Sequence, residues 1–560
     1  VLAVAEPARA MALAALAEGA DRRPVVVAVP TTAEAERLAA DLAVYLGQDE
    51  VLTYPAWETL PFERISPSIE AMGQRLRVLW HVTGGQGARP QGGPRIIVAP
   101  VRALIQRLGP HVDEVDPIVI GAEDRVDQQD LVERLVAIGY RREHQVEHRG
   151  ELAVRGSIID VFPSTADGPY RIDQWGDEVD RLSELSIADQ RSTAERAEIE
   201  IFPCRELLIS EDIQARAEEL RATEPWGVEQ WQRLADGELF EGMESWLPWL
   251  VDGENGDRVL TDLLGPDALV VLVEPRRMRD RAADLLAEEA DLATSLARTW
   301  GAAGEDGPVP GADGADRPGF PQLHIGFDRL LTRTTVPAIT VSAVPEGPDV
   351  AQLPASGWEA PGEALAAHLQ KLVADGVRLV VAADGAGTAA RAIDVLQEWG
   401  LSPTNHGETI PEVFTAGAHV IVTGLERGFV LPEAGMAVLT ESDLTGRRRA
   451  HRRARPRKRQ SEGFFDDLQP GHYVVHHQHG VGRFAGMVKR AIGGHERDYL
   501  LLEYKGDDKL YLPSEQIDLI RRYTGGETPS LHRLGGSDFA KAKSRVRSAV
   551  AEIAQELVVL

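Results

Sequence analysis

Apolar runs and polar breaks alternate along the first hundred residues in the manner of an α/β protein. Continuous, mostly β-branched runs at residues 25–29 and 95–99 predict strands buried on both faces of a sheet. Residues 33–46 carry the helical period, with Thr31 placed to cap that helix, and residues 101–108 predict another helix. This alternation predicts a parallel sheet with helices on its faces.

The pattern changes after about residue 110. Residues 151–162, 170–175 and 180–187 predict three successive antiparallel strands, inserted into the α/β domain. Residues 268–273 predict another buried strand, and a further α/β unit follows, with a buried strand predicted at residues 377–383. Residues 470–519 are strand-rich and punctuated by glycine, which is typical of a small β-barrel. The chain is therefore predicted to be multidomain α/β.

Composition narrows the class of protein. The 560 residues carry a formal net charge of −28, so nucleic acid should be repelled over most of the surface. The single cysteine, Cys204, excludes an internal disulfide and favours a reducing cytoplasm. No apolar run is long enough to span a membrane. The basic run at residues 447–459 is interpreted as a solvated linker, with weak DNA contact as the alternative.

The position of a nucleotide-binding loop is occupied by a different sequence. Residues 5–11 (AEPARAM), between the first predicted strand and helix, contain no glycine, lysine, serine or threonine, and Gly-Lys occurs nowhere in the chain. A phosphate-binding loop needs glycines for close approach, a lysine for the phosphates and a hydroxyl for magnesium. We therefore expect no ATP hydrolysis and no cofactor in this chain.

Three stretches, in this order, closely resemble the bacterial transcription-repair coupling factors (Mfd). They are residues 60–79 (LPFERISPSIEAMGQRLRVL), residues 154–175 (VRGSIIDVFPSTADGPYRIDQW) and residues 474–484 (VVHHQHGVGRF), the last followed by YLLLEY and LYLP. The resemblance implies a scaffold in transcription-coupled nucleotide excision repair that binds the RNA polymerase β subunit and recruits UvrA. It also implies that an ATP- and magnesium-dependent DNA translocase motor follows in the family and is absent here.

The resemblance further implies a layout for the chain. The predicted segments are a UvrB-like α/β core (1–109), an antiparallel UvrA-binding insertion (110–200), the second part of the core (201–335), a small α/β domain (336–446), a basic linker (447–462), a CarD-like polymerase-interacting domain (463–527) and a helical lead towards the motor (528–560).

The predicted UvrA-binding residues are Arg155, Arg171 and Trp175, which match the family's positions. On the strand at residues 170–175, alternation places Arg171 and Trp175 on one face and Ile172 on the other. Arginine offers a rigid donor fork for carboxylates and tryptophan a broad apolar anchor. The residues alone leave open an ordinary solvated face, and they leave open whether Arg155 reaches that face.

The predicted polymerase-binding residues are Leu500, Leu502 and Arg497, again from the family match. Alternation alone leaves open which parity of this strand faces outward, because Glu503 favours water for the opposite set. The histidines at 476, 477 and 479 lack a carboxylate or cysteine at ligand spacing, so no metal is expected.

Two other functions remain open from the sequence. One is a UvrB-like NTPase or helicase fragment, which would have to bind nucleotide. The other is a CarD-like transcription regulator with unrelated N-terminal domains.

Overall fold

The computed structural model of the chain describes residues 1–534, except for 60–64, 86–92, 225–226, 252–255, 297–320, 346, 348–349, 359–362, 412–413, 446–467, 477–478, 493–494, 507, 514–519 and 524–528. The chain divides into two compact units, Val1–Arg452 and Arg453–Leu560. The predicted linker at 447–462, and the helical pattern at 538–560 within the predicted lead 528–560, lie outside the described residues.

The helices are α1 (Arg9–Gly19), α2 (Thr32–Leu46), α3 (Ile69–Thr83), α4 (Val101–Leu104), α5 (Gln128–Ala137), α6 (Glu211–Thr223), α7 (Val228–Ala235), α8 (Leu247–Leu250), α9 (Pro275–Leu296), α10 (Phe327–Arg333), α11 (Glu363–Ala374), α12 (Ala386–Glu398) and α13 (Glu441–Thr445).

The strands of the first unit are β1 (Leu2–Val4), β2 (Val25–Val29), β3 (Val51–Thr53), β4 (Ile96–Pro100), β5 (Ile118–Gly121), β6 (Arg141–Arg142), β7 (Glu151–Arg155), β8 (Ile158–Val161), β9 (Tyr170–Trp175), β10 (Glu178–Leu185), β11 (Ser192–Glu195), β12 (Glu198–Ile201), β13 (Leu269–Val273), β14 (Ala338–Ser342), β15 (Ala351–Leu353), β16 (Arg378–Ala383), β17 (Thr404–Gly407), β18 (Gly417–Val422), β19 (Phe429–Leu431) and β20 (Met436–Thr440).

The second unit contributes β21 (Tyr473–His476), β22 (Gly480–Ile492), β23 (His495–Glu503), β24 (Lys509–Pro513) and β25 (Ile520–Arg522). Among the helices of the described residues, none combines the length and apolar character that crossing a bilayer requires.

A parallel sheet forms the centre of the first unit, in the order β15-β1-β14-β13-β2-β4-β3. Every residue of β2, β4 and β13 is buried, as the continuous apolar runs predict. The predicted cap is present, since the Thr31 side chain accepts a hydrogen bond from the Glu34 N–H at 3.3 Å. The parallel α/β prediction is thus confirmed.

Helix α4 ends four residues earlier than the sequence predicts. The prediction over 101–108 is wrong because the chain turns into an antiparallel bridge with a distant segment. The Ile325 N–H donates to the Ile105 carbonyl at 2.8 Å, and the Arg107 N–H donates to the Leu323 carbonyl at 2.9 Å. These long-range bonds replace the helical ones, and a tertiary contact of this kind leaves no local signal.

The insertion forms a six-stranded sheet, β11-β10-β9-β8-β7-β6, and a two-stranded sheet, β12-β5. The single strand predicted over 151–162 is wrong, because two antiparallel strands meet there in a tight turn at Gly156 and Ser157. Gly156 has φ +61°, a left-handed conformation that glycine adopts without steric cost. This hairpin decides the orientation of Arg155.

A second, mostly parallel sheet has the order β17-β18-β16-β20-β19. Strands β14 and β15, which follow the predicted boundary at 335/336, pair within the first sheet. The second sheet does not have a core of its own on both faces. Val380 and Ala382 of β16 join the core cluster built on α1, α2 and the first sheet, whereas Leu379 and Val381 join a cluster with α12.

The second unit contains a five-stranded antiparallel sheet, β24-β23-β22-β21-β25. Strands β22 and β23 form a long hairpin, with a register shift between Phe484 and Gly486, and Gly486 has φ +132°. Bulges of this kind increase the twist of a sheet. The pairings described do not include a bond between β24 and β25, so closure into a barrel stays a prediction.

A buried ion pair joins the core to the end of the insertion. Arg75 on α3 donates to both carboxylate oxygens of Glu206, at 2.7 and 2.9 Å, and neither side chain is exposed. The Trp57 indole N–H also donates to Glu206 at 2.9 Å, and the Arg75 guanidinium lies 4.2 Å from the centre of the Tyr54 ring. The charged groups are therefore compensated on several sides.

Replacing Glu206 with alanine is expected to destabilise the chain by about 3–5 kcal/mol, since Arg75 would stay buried without its counter-charge. The free energy of unfolding is measured by urea titration with tryptophan fluorescence. Glu218→Ala is the matched control: it breaks an exposed pair with Arg221 and is expected to leave stability nearly unchanged. Equal costs for the two variants would contradict the central role of the buried pair.

Candidate functional site

The outer face of the six-stranded sheet displays the residues predicted to bind a partner. Cross-strand register places Asp160, Arg171 and Ser183 in one row, and Ile158, Asp173 and Arg181 in the next. Ile159, Ile172 and Leu182 lie on the other face, where they form the core of the insertion. The predicted alternation of Arg171, Ile172 and Trp175 is therefore present.

Arg155 lies on this same face. It pairs with Ile158 across the β7–β8 turn, and Ile158 pairs with Asp173 on β9. If residues 151–162 formed one unbroken strand, Arg155 would share the buried face of Ile159. The turn at Gly156 instead places Arg155 on the opposite face, with Ile158. The Arg155 guanidinium is exposed and donates to the His144 carbonyl at 3.0 and 3.3 Å.

Arg171 is held by the sheet rather than extended into solvent. Its Nε and Nη2 atoms donate to the two carboxylate oxygens of Asp160 at 2.7 and 2.9 Å. Asp160 is buried and Arg171 is only 14% exposed. These hydrogen bonds, donated to Asp160, raise the pKa of Arg171, so the guanidinium stays charged.

Trp175 stands at the tip of the β9–β10 hairpin with 85% of its surface exposed. The tight turn that follows contains Gly176 at φ +64°, and Trp175 pairs with Glu178 across it. A tryptophan this exposed has a large apolar surface with no intramolecular cover, which is typical of an interface anchor.

Sequence reasoning missed Arg181. A register shift between Val179 and Arg181 leaves Asp180 as an extra residue, so that Arg181 pairs with Asp173. Without that bulge, alternation from the turn would put Arg181 on the core face. The only local sign of the bulge is the acidic residue Asp180, which is exposed, and the alternation of apolar and polar residues in this strand does not predict the bulge.

Ion pairs lie at the carboxyl edge of the first sheet, where open α/β folds bind ligands. Arg9, in the AEPARAM segment, donates to Glu274 at 2.7 Å, and the same Glu274 oxygen accepts the Ala343 N–H at 2.8 Å. Glu6 of the segment pairs with Arg427 at 3.1 Å. Two carboxylates therefore lie where a phosphate-binding loop would supply N–H groups.

Two of the predicted polymerase-binding residues are buried in the second unit. Leu500 and Leu502 are fully buried, together with Tyr504 of the same parity. Their side chains therefore lie inside the second unit in the free chain, and their role in binding stays a prediction. Of the opposite parity, Leu501 and Glu503 are partly exposed, as the preference of Glu503 for water predicts, whereas Tyr499 is buried.

Arg497, the third predicted residue, lies on β23 opposite Arg490, and its side chain is outside the described residues. Strand β23 itself is internal, since β22 and β24 flank it. Among the strands that the structure describes, β24 is the last of this sheet on that side. The Tyr504 N–H donates to the Asp508 carbonyl at 2.8 Å, so these two residues form a hydrogen-bonded pair of the antiparallel ladder. Hydrogen-bonded and non-hydrogen-bonded pairs alternate along such a ladder, so the backbone N–H of the next residue, Lys509, points away from β23.

The histidines of the second unit are packed, not arranged as ligands. His476 and His479 are buried with their ring centres 4.6 Å apart, and the His479 backbone N–H donates to His476 Nδ1 at 3.2 Å. His477 lies outside the described residues. Within the described part of the chain, no three histidine, cysteine or acidic side chains form a potential metal site.

Comparison with known proteins gives two domain matches and several relatives that align with nearly the whole of this chain. A model of the UvrB interaction domain matches residues 118–207, and a model of the CarD-like/TRCF RID domain matches residues 468–524. The transcription-repair-coupling factor of Mycobacterium tuberculosis is 38% identical over 100% of this chain and 47% of its own length. Those of Myxococcus xanthus and Escherichia coli are 31% and 28% identical, over 98% and 97% of this chain and 48% and 47% of theirs. The chain spans about half the length of the relatives it matches.

Stability of the second unit is expected to fall as the pH is lowered from 6.5 towards 4. Burial lowers the pKa of His479 to about 4. Below pH 6.5 this histidine is therefore protonated in the unfolded chain but stays neutral in the folded chain, which favours unfolding. Between pH 7 and pH 5 the loss is about 2 kcal/mol.

Pulse proteolysis in urea, followed by mass spectrometry of peptides from residues 473–503, measures this stability. The variant His479→Phe is expected to lose most of the dependence between pH 7 and pH 5. An unchanged pH profile in that variant would assign the dependence to other groups.

Proposed function

We propose that the chain is a docking scaffold in transcription-coupled nucleotide excision repair. The premise is that proteins named transcription-repair-coupling factor are homologous to this chain along its whole length, which confirms the family resemblance. One surface, in the first unit, binds UvrA. The other, in the second unit, binds the β subunit of RNA polymerase.

The observation that carries the UvrA assignment is the exposed Trp175 on the sheet face that also carries Arg155, within the segment that matches the UvrB interaction domain. The aromatic ring supplies an apolar anchor, and the guanidinium supplies donors for a carboxylate on the partner. Arg171 contributes less by direct contact than by holding the sheet face in shape through Asp160.

The polymerase assignment rests on the match of residues 468–524 to the CarD-like/TRCF RID domain and on the position of β24 at the end of the sheet. An edge strand presents backbone N–H and carbonyl groups that a partner's strand can pair with. Backbone pairing at β24 therefore replaces the side-chain contacts that Leu500 and Leu502 were predicted to make.

The proposal assigns no nucleotide-driven chemistry to these residues. The Arg9–Glu274 pair and the carboxylate of Glu6 disfavour a phosphate at the carboxyl edge of the first sheet. Full-length homology also argues against a CarD-like regulator with unrelated N-terminal domains. The basic run 447–459 is assigned the role of a solvated linker, with weak DNA contact as the alternative, and translocation is assigned to the motor of the whole protein.

Trp175→Ala is expected to weaken UvrA binding by about 30-fold, since a central aromatic anchor contributes about 2 kcal/mol. Arg155→Ala is expected to weaken it less. Binding of the purified full chain to UvrA is measured by biolayer interferometry. Val119→Ala is the control: it truncates another exposed apolar side chain of the matched domain. Equal binding by all variants would refute the UvrA assignment.

Lys509→Pro is expected to abolish binding to the polymerase β subunit, because proline removes the outward backbone N–H of the edge strand. Lys509→Val is the matched control, since it removes the same charge and keeps the N–H. Pulldown of the β subunit by each full-length variant provides the measurement, with circular dichroism to verify folding. Loss of binding in both variants would point to the lysine side chain instead of the strand edge.

A further inference from the structure

We infer that Arg181 is a second contact cation of the UvrA-binding face and that, together with Arg155, it selects a partner surface with two carboxylate positions on either side of an apolar slot for Trp175. This inference rests on the proposed UvrA-binding function and specifies its partner chemistry.

The placement of Arg181 comes from the bulge at Asp180. Because one extra residue is inserted, Arg181 pairs with Asp173 and shares the face of Arg155 and Ile158. These four residues form a continuous row across β7, β8, β9 and β10. Trp175 lies in the neighbouring row, two residues beyond Asp173 on β9.

The two arginines of β9 and β10 differ in what they can offer a partner. Two nitrogen atoms of Arg171 donate hydrogen bonds to the buried Asp160, and its side chain is 14% exposed. Arg181 is 52% exposed, and its contacts to Asp173 are longer, at 3.2 and 3.4 Å. Arg181 is thus held in place by a neighbouring carboxylate while its remaining donors face solvent.

The spacing of the cations follows from the strand order. Arg155 on β7 and Arg181 on β10 are separated by two intervening strands, so their backbones lie about 14 Å apart at the usual strand spacing. Trp175 stands beside this row near its centre. A complementary surface therefore has an apolar slot with one carboxylate on each side.

Carboxylates on a protein, and not the phosphates of a nucleic acid, are the chemistry that fits. Asp177, Glu178 and Asp180 are all exposed around the hairpin tip, next to Trp175. A continuous phosphate backbone would meet these three negative charges as well as the two arginines. Discrete acidic side chains can instead pair with the arginines and avoid the tip.

The test measures UvrA binding by the full chain carrying Arg181→Glu. Affinity is expected to fall by at least about tenfold, and the loss is expected to shrink as salt is raised. Arg196→Glu is the matched control: Arg196 is also 52% exposed and paired to a glutamate, but that partner, Glu184, has the parity of the opposite sheet face. It is expected to bind within about twofold of the wild type.

Crosslinking identifies the chemistry of the partner group. In Arg181→Lys, a carbodiimide should join the lysine amine to a UvrA carboxylate as an amide with loss of water, and mass spectrometry locates the bond. Arg196→Lys should give no such product.

The outcomes separate the inference from the function on which it rests. Unchanged affinity in Arg181→Glu, alongside weakened binding in Trp175→Ala, overturns the role of Arg181 and leaves the UvrA face in place. Unchanged affinity in both variants overturns the UvrA face itself. A crosslink from Arg181→Lys to UvrA, with none from Arg196→Lys, supports the inference.

Discussion

The pair formed by Arg75 and Glu206 is the constraint on which the first unit depends. Glu206 follows the last strand of the insertion, and Arg75 lies on a helix that precedes it by more than a hundred residues. Two buried charges are tolerated only while they meet, so the chain that leaves the insertion must return to one position on the core. The antiparallel sheet, and with it the candidate binding face, is thereby fixed relative to the parallel sheet.

A second constraint is the core shared by the two parallel sheets. Leu425, in the loop between β18 and β19, is buried in the cluster around α1 and α2, and the next residue, Glu426, donates its N–H to Asp41 and pairs with Arg37. Arg427 reaches Glu6 in the segment where a phosphate-binding loop would lie. The edge has become a junction between two sheets.

The sequence predicts the elements whose signal is local and misses the features that long-range pairing decides. The buried runs of β2, β4 and β13 are read correctly because strands covered on both faces need apolar residues at every position. The turn at Gly156 and the bulge at Asp180 each interrupt the alternation of side chains along a strand. After each interruption, the residues that follow lie on the opposite face from the one that unbroken alternation predicts. The family resemblance predicted Arg155 as a binding residue but did not explain its position in the sheet. Neither the resemblance nor the residue pattern predicted Arg181.

The candidate site shows the same division between what is visible in the sequence and what is not. The exposure of Trp175 follows from a tight turn that the Gly-Asp pair signals, whereas the sequestration of Arg171 depends on Asp160, which comes from another strand and is nearly unexposed. This buried acid has a consequence for binding. Because Asp160 holds Arg171, and the His144 carbonyl and Asp173 hold Arg155 and Arg181, the side chains of the face lose little rotamer freedom when a partner arrives. A face ordered before binding retains more of its contact energy as affinity, since the ordering cost is already met in the free chain.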